Sequence, residues 1–247
     1  MPKIKCKIAY DGTNFLGFQV QPQKRTVQGE IERALEKIHK GEKVRIHASG
    51  RTDAGVHAKG QTIHFETNLT MSGESWKKAL NTLLPDDLYI LHSEVVSTDF
   101  HSRYNVREKE YRYFVLNKKE PDIFNRNYIF HYPYRVDIQL IEEACKHLIG
   151  THDFTTFSSA KATVKGDKIR TLFEATCIRD DDRIEFRFRG SGFLYNMVRI
   201  LVGTLLDVGQ GRKKPTDIKR MLEAKDRKLA GKTAPAHGLY LWEVKYK

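Results

Sequence analysis

The chain has few of the residues that metal sites and disulfide frameworks require. Its 247 residues include only three cysteines, Cys6, Cys145 and Cys177, which lie far apart with no CxxC pair. This spacing argues against a disulfide framework and a zinc site and favours a reducing compartment, so we expect a cytoplasmic protein. The ten histidines form neither an HExxH motif nor a Cys/His cluster. His57 and His64 are therefore more typical of loop and strand residues than of metal ligands.

Long hydrophobic runs are absent as well. Residues Met1–Lys7 contain no apolar signal core, and the longest apolar run, residues 193–206, is interrupted by Asn196, Arg199 and Thr204. A membrane-spanning segment is therefore not expected.

Motifs for bound nucleotides and for serine hydrolysis are incomplete. The tripeptide Gly231–Thr233 has the sequence that ends a phosphate-binding loop, but Asp226 stands where such a loop begins with glycine. No Gly-x-Ser-x-Gly elbow occurs. We therefore expect neither a metal nor a small-molecule cofactor.

Acidic residues are clearly outnumbered. The 43 Lys and Arg residues exceed the 31 Asp and Glu residues, which gives a formal net charge of +12 and a pI near 9.5. A chain this basic attracts polyanions, and RNA is the usual polyanion for a cytosolic protein. The alternative is a well-solvated basic surface. Since 40% of the residues are hydrophobic, the chain can also build a sizeable core.

Hydrophobic periodicity predicts one order of elements twice along the chain. The half at residues 1–105 has strands predicted near 4–10, 43–48, 61–66 and 88–96 and helices near 27–38 and 73–83. The half at residues 106–247 has strands predicted near 110–116, 169–178, 183–189 and 238–246, with helices after Asp137, over 191–208 and after Pro215. Each half is therefore a βαββαβ unit.

The predicted class is α+β. Two ferredoxin-like or RRM-like halves side by side would give a mixed, mostly antiparallel sheet with helices on one face and a central catalytic cleft. The link near 97–109 is polar but not rich in Gly or Ser, so we expect a compact pair. In the strand at 183–189, apolar residues alternate with charged residues that are mostly arginine, which predicts a cationic face that is either solvated or in contact with RNA.

The run Gly50–Ala58 reads Gly-Arg-Thr-Asp-Ala-Gly-Val-His-Ala. Gly50 and Gly55 bracket Asp53 and tolerate positive φ, so the chain can turn sharply and present the carboxylate at a loop tip. Arg51 could hold that carboxylate ionised or grip a phosphate. An ordinary surface turn with an Asx-type hydrogen bond is the alternative interpretation.

This run resembles, at every position, the active-site signature of the tRNA pseudouridine synthase A family, whose aspartate is catalytic. The resemblance covers nearly the whole chain. Other stretches similar to family motifs are 10–13 with 18–19, 25–30, 110–113, 192–199 and 233–241.

The resemblance implies a cytosolic enzyme that converts uridine to pseudouridine in tRNA, on the 3′ side of the anticodon loop and in the adjoining stem. It implies that Tyr111 stacks on the target base and is a candidate to relay the C5 proton, that Leu239 contacts the uracil, and that Arg25, in the helix-start motif, helps to bind the tRNA. Family members are homodimers that hold one tRNA across both subunits, so we expect tRNA and a second copy of the chain as partners.

The reaction itself fits the residues. It breaks the N1–C1′ bond and joins C5 to C1′ without redox change or loss of a group, so it requires neither nicotinamide nor metal. Asp53 could act as a nucleophile on C1′ or on the ring, or as a base at the sugar, and the sequence does not choose among these. Two other functions stay open: a pseudouridine synthase with another RNA target, and a non-catalytic RNA-binding protein of RRM-like units, although the RRM aromatic motif is absent.

Arg199 is the only fully charged side chain in the apolar run 193–206. A guanidinium in such a helix needs a partner or a path to water. The family motif likewise places an arginine against the catalytic aspartate. We therefore expect Arg199 to hold Asp53 ionised and oriented, with snorkelling to the surface or bonding to carbonyls as the alternative.

Overall fold

The structure is a computed structural model that describes residues 1–159 and 167–247. These residues divide into two compact units, one of Met1–Arg107 with Tyr240–Lys247 and one of Glu108–Leu239. Helices and mostly antiparallel strands make up both units, so the predicted α+β class is confirmed. In the part of the chain that the structure describes, no helix is long and apolar enough to cross a membrane.

The first unit has the element order βαββαβ. Its elements are β1 (Lys3–Tyr10), α1 (Val27–Ile38), β2 (His47–Ala48), β3 (His57–Glu66), α2 (Gly73–Leu83) and β4 (Leu88–Val96). The strands are antiparallel in the order β4-β1-β3-β2, which is the split βαβ arrangement that the sequence predicts.

Local chemistry sets the bounds of the helices in the first unit. The Thr26 side chain accepts a hydrogen bond from the backbone of Gly29 and caps α1, and Ser72 caps α2 in the same way through Ser75. The apolar face of α1, including Ile31 and Leu35, is fully buried, as its 3.6-residue spacing predicts.

The second unit is built on the longest strands of the chain. Its elements are β5 (Val106–Leu116), β6 (Phe130–His131), α3 (Ile138–Lys146), β7 (Gly150–Asp153), β8 (Ile169–Asp180), β9 (Arg183–Gly190), α4 (Met197–Gly209) and α5 (Asp217–Ala224). The order β5-β9-β8-β7 is antiparallel, and β6 adds a short parallel pairing to β5. Asp137 caps α3, where the sequence predicts that helix to begin.

The final strand, β10 (Leu239–Tyr246), pairs in parallel with the first residues of β3 through Tyr240 and Leu241. Its residues from Tyr240 onward group with the first unit, although they follow the second unit in sequence. The division of the chain into halves at 1–105 and 106–247 stays a prediction.

Some helix and strand bounds differ from those that the hydrophobic periodicity predicts, and the reasons are local. The apolar stretch predicted as a helix from residue 191 becomes α4 only at Met197, because Asn196 adopts a left-handed φ of 60° and cannot continue a helix. The strand predicted over 43–48 is paired only at His47–Ala48. The short strand β7 was not predicted, because its residues lack the alternation of apolar and polar side chains that indicates a strand.

The charged face of β9 is not simply cationic. Arg187 pairs with Glu185 at 3.0 Å, and Arg189 pairs with Glu174 at 3.0 Å. Arg112 on β5 contacts Glu185 at 3.2 Å. The face of β9 is mostly cationic, as the sequence predicts, but Arg187 and Arg189 are ion-paired with Glu185 of the same strand and Glu174 of β8, and its contact with RNA stays a prediction.

A histidine cluster packs on one face of the sheet in the first unit. The ring of His64, only 2% exposed, stacks on His47 with centroids 5.1 Å apart and meets His101 edge to face at 4.8 Å. Its Nδ1 lies 2.8 Å from the Ser102 hydroxyl. Burial, followed by the neighbouring His101 and His47, lowers the pKa of His64 from 6.5 to about 4.

We predict that the free energy of unfolding decreases as the pH falls from 6.5 toward about 4. In this window the unfolded chain binds a proton at His64 that the folded chain excludes, which costs on the order of 1–3 kcal/mol. Urea unfolding at several pH values should show a shallower dependence for His64→Gln, whereas His92→Gln, at an exposed position on β4, should keep the wild-type dependence. If the free energy of unfolding changes equally with pH in all three proteins, the assignment of this pH dependence to His64 is refuted.

Candidate active site

The loop that carries Asp53 connects β2 to β3 in the first unit. Asp53 is half-buried at its turn, where the backbone N–H of Val56 donates to the Asp53 carbonyl at 3.2 Å. Gly55 adopts φ of 76°, a left-handed conformation that favours glycine. The sequence-based prediction that the bracketing glycines allow a sharp turn is therefore confirmed at Gly55.

Residues next to Asp53 are fixed from one side by the segment after β1. The hydroxyls of Tyr10 and Thr52 are hydrogen-bonded at 2.8 Å in a buried position. Phe18 donates its backbone N–H to the Thr52 carbonyl at 3.0 Å, and Gly55 donates to the Phe15 carbonyl at 3.3 Å. These bonds hold the backbone immediately before and after the carboxylate.

The same segment packs closely against the loop. A Cβ at Gly12 would lie 2.1 Å from the Val56 carbonyl oxygen, and a Cβ at Gly17, where φ is 94°, would lie 3.1 Å from the Thr52 carbonyl oxygen. Only glycine permits this approach, so the two segments form one packed element.

The ends of the loop are fixed by side chains of β3. The Gln61 amide donates to the Gly50 carbonyl at 2.9 Å and accepts from the Ser49 hydroxyl at 2.5 Å. His57 is buried, and its Nδ1 accepts from the Gly12 N–H at 2.9 Å. The histidine therefore helps to support the loop.

We predict that Tyr10→Phe lowers turnover by on the order of 10-fold and leaves tRNA affinity nearly unchanged. The variant removes only the hydroxyl that positions Thr52, and small displacements of a reacting group are costly. It should also lower the free energy of unfolding by about 1 kcal/mol. Tyr89→Phe is the matched control, because it removes a hydroxyl from a side chain that is 52% exposed. Wild-type turnover in Tyr10→Phe would contradict this positioning role.

The two arginines predicted near this loop differ in their surroundings. Arg51 is exposed at the surface beside Asp53. Arg25 forms a bidentate ion pair with Asp87 at 2.8 and 2.7 Å, and its guanidinium lies 4.3 Å from the centroid of the Phe15 ring. Hydrogen bonding to Asp87 raises the pKa of Arg25 above its ordinary value. Arg25 is thus held by ion pairs with Asp87 and Glu30, and its predicted contact with tRNA stays a prediction.

Tyr111 lies on β5 in the second unit, opposite Phe188 of β9. Its side chain is 8% exposed, and its ring meets Phe193 edge to face with centroids 5.0 Å apart. Two residues further, the Tyr113 hydroxyl donates to the Pro235 carbonyl at 2.8 Å. This bond anchors the segment that leads to Leu239, which is 5% exposed.

Arg199 lies in the first turn of α4. Its Nε donates to the Ala234 carbonyl at 2.8 Å, and a terminal guanidinium nitrogen donates to the Asn196 side-chain oxygen at 3.0 Å. The Ala234 N–H returns a bond to the Arg199 carbonyl at 3.0 Å. The guanidinium is therefore oriented by carbonyl contacts, which is the alternative that the sequence left open, and its pairing with Asp53 stays a prediction.

Sequence reasoning missed the residues that support the site. Tyr10 and Phe18 fall inside stretches quoted for the family resemblance, yet no charge or reactive group marks them as functional. Gln61 and Ala234 act through hydrogen bonds to distant residues that only the fold brings together. Among the residues that the structure describes, no group of three or more His, Cys, Asp or Glu side chains is arranged to hold a metal ion.

A family model described as tRNA pseudouridine synthase matches residues 7–105 and 144–247. The chain belongs to the tRNA pseudouridine synthase family. The match includes the Asp53 loop and the segments that carry Arg199 and Leu239, and the family resemblance stated from the sequence is confirmed.

Curated relatives of this tRNA pseudouridine synthase match over their full lengths. The tRNA pseudouridine synthase A of Oceanobacillus iheyensis is 55% identical over 247 residues, covering 100% of this chain and 98% of that protein. The tRNA pseudouridine synthase A 1 of Bacillus cereus is 58% identical over 246 residues, covering 100% of this chain and 99% of that protein. The tRNA pseudouridine synthase A of Geobacillus kaustophilus is 57% identical over 245 residues, covering 99% and 95%. The predicted enzyme class, an isomerase acting on tRNA uridine, is confirmed.

Proposed function

We propose that this tRNA pseudouridine synthase modifies uridines on the 3′ side of the anticodon loop and in the adjoining stem, with Asp53 as its catalytic carboxylate. The observation that supports Asp53 is the loop itself. Asp53 is half-buried, and Thr52 just before it and Gly55 two residues after it are both hydrogen-bonded to the segment after β1. A group that must meet a reacting atom needs such pre-organisation.

The reaction conserves atoms and charge. The N1–C1′ bond breaks, a C5–C1′ bond forms, the C5 hydrogen leaves as a proton and N1 gains one. Asp53 takes part as a nucleophile on C1′ or the ring, or as a base at the sugar, and each role requires its ionised form. Arg199 is proposed to keep it ionised and aligned, because a guanidinium lowers the pKa of a carboxyl group nearby.

The remaining roles concern the substrate. Tyr111 is proposed to stack on the target base and Leu239 to contact the uracil ring, since a flat aromatic and an apolar side chain suit the faces of a base. Arg51 is proposed to bind a phosphate. Arg25 is the second proposed tRNA contact, because its side chain keeps 34% exposure beside its ion pair.

The enzyme is proposed to work as a cytoplasmic homodimer that binds one tRNA across both subunits. Its three cysteines are all buried free thiols, as expected in a reducing compartment.

Release of the C5 hydrogen tests the substrate class. The protein would be incubated with an unmodified tRNA transcript that carries tritium at the uracil C5, and separately with a labelled ribosomal RNA fragment. Release from the tRNA alone is expected. Preference for the ribosomal fragment would indicate a different RNA target, and tight binding without release from either RNA would favour a non-catalytic RNA-binding protein.

A further inference from the structure

A groove of about 1060 Å³ lies on the first unit, outside the Asp53 loop. Its walls are the segment from Val20 to Arg25, the outer face of α1 and residues 43–45. The groove is open to solvent, so a ligand can enter it directly.

Four exposed cations line this groove, namely Lys24, Arg33, Lys43 and Arg45. Arg33 is paired with Glu30, whereas among the residues that the structure describes Lys24, Lys43 and Arg45 have no carboxylate within 4.0 Å. Their charges are therefore available to a ligand, and their long side chains can reach across the opening.

Part of the negative charge in the groove is compensated. Glu30 forms ion pairs with Arg25 and Arg33. Glu32 accepts hydrogen bonds from the Gln28 amide at 2.8 Å and from the Ile46 backbone at 3.1 Å, but both donors are neutral and leave its charge in place. The carboxylates of Glu32 and Glu36 are outnumbered by the three cations that have no carboxylate partner.

We propose that this groove binds the sugar-phosphate backbone of the RNA substrate through Lys24, Lys43 and Arg45. Flexible, unpaired cations along an open groove suit a ligand with regularly spaced charges, and backbone contacts supply affinity and positioning without reading sequence. Arg187 and Arg189 of β9 supply this contact less readily, because each is already ion-paired with a glutamate. The proposal rests on the proposed function in taking RNA as the ligand.

The test compares two variants that each lose three positive charges. The groove variant is Lys24→Gln, Lys43→Gln and Arg45→Gln. The control is Lys37→Gln, Lys40→Gln and Lys78→Gln, at three exposed positions outside the groove. Both variants have the same net charge. Any difference in tRNA binding between them therefore depends on where the removed charges lie.

Equilibrium binding of an unmodified tRNA transcript would be measured over a range of salt concentrations. The slope of log affinity against log salt should decrease in magnitude by about two to three in the groove variant, since each lost phosphate contact changes it by roughly 0.7–1. The control should keep the wild-type slope. In turnover assays the groove variant should show KM raised at least about 10-fold with kcat nearly unchanged, and the modified uridines should stay the same.

Equal changes in both variants, or a wild-type slope in the groove variant, would overturn the proposal. If the triple variant fails to fold by circular dichroism, the three single variants replace it, each with an expected slope change of about one. Failure of the proposed function would be seen separately, because the wild-type protein would then make no pseudouridine while the binding slopes could still differ.

Discussion

Asp53→Asn is expected to reduce pseudouridine formation to less than about 1% of the wild-type rate while tRNA affinity changes little. The carboxamide has nearly the size of the carboxylate but cannot act as a nucleophile or a base, and loss of such a role costs at least about 10²-fold. The loop should keep its shape, because its supporting bonds come from Thr52 and Gly55. Single-turnover kinetics with excess enzyme, alongside equilibrium tRNA binding, measures both quantities.

Asp86→Asn is the matched control for this substitution. Asp86 is exposed just before β4, so the same change of charge there should leave turnover near the wild-type value. Retention of more than a few per cent of activity by Asp53→Asn would remove Asp53 from the chemistry.

Arg199→Ala is expected to lower turnover by at least about 10²-fold, because an unpaired carboxylate in the active site is neither held ionised nor aligned. Arg199→Lys keeps the charge but loses the planar group whose nitrogens contact Ala234 and Asn196, so it should be impaired as well. Single-turnover rates of the two variants, with circular dichroism to confirm folding, provide the measurement.

The double variant Asp53→Asn with Arg199→Ala separates catalysis from structure. If Arg199 acts through Asp53, the double variant should be no slower than Asp53→Asn alone, since residues that act as a unit are strongly non-additive. The alternative is that the two substitutions lower turnover independently, so that their effects multiply in the double variant, or that Arg199→Ala keeps near-normal turnover. Either result would show that Arg199 serves only to hold the segment at Ala234.

Much of the fold follows from local sequence signals. The helices α1 and α3 begin at capping residues Thr26 and Asp137 that the sequence displays directly, and the buried positions of α1 repeat at helical spacing. The pairing of β10 with β3 could not be predicted in this way, because parallel pairing between distant segments leaves no local pattern. The late start of α4 depends on one left-handed residue, Asn196, inside an apolar run.

In the candidate site, too, local features could be predicted from the sequence and long-range contacts could not. Asp53 and its bracketing glycines can be recognised from the sequence, because glycine indicates a turn and a carboxylate is a common catalytic group. The hydrogen bond between the Tyr10 and Thr52 hydroxyls cannot be predicted from the sequence, because it joins two segments that are far apart in the chain. The ion pair of Arg189 on β9 could not be predicted for a related reason, since a strand read alone does not show Glu174 on its neighbour.

Nucleotide-resolution mapping of pseudouridine tests the central claim most directly. One unmodified tRNA transcript would be incubated in parallel with the wild-type protein and with Asp53→Asn, and every uridine would be scored. The account predicts pseudouridine on the 3′ side of the anticodon loop and in the adjoining stem with the wild-type protein, and none with the variant. Modification confined to another region of the tRNA, or the same pattern from both proteins, would contradict it.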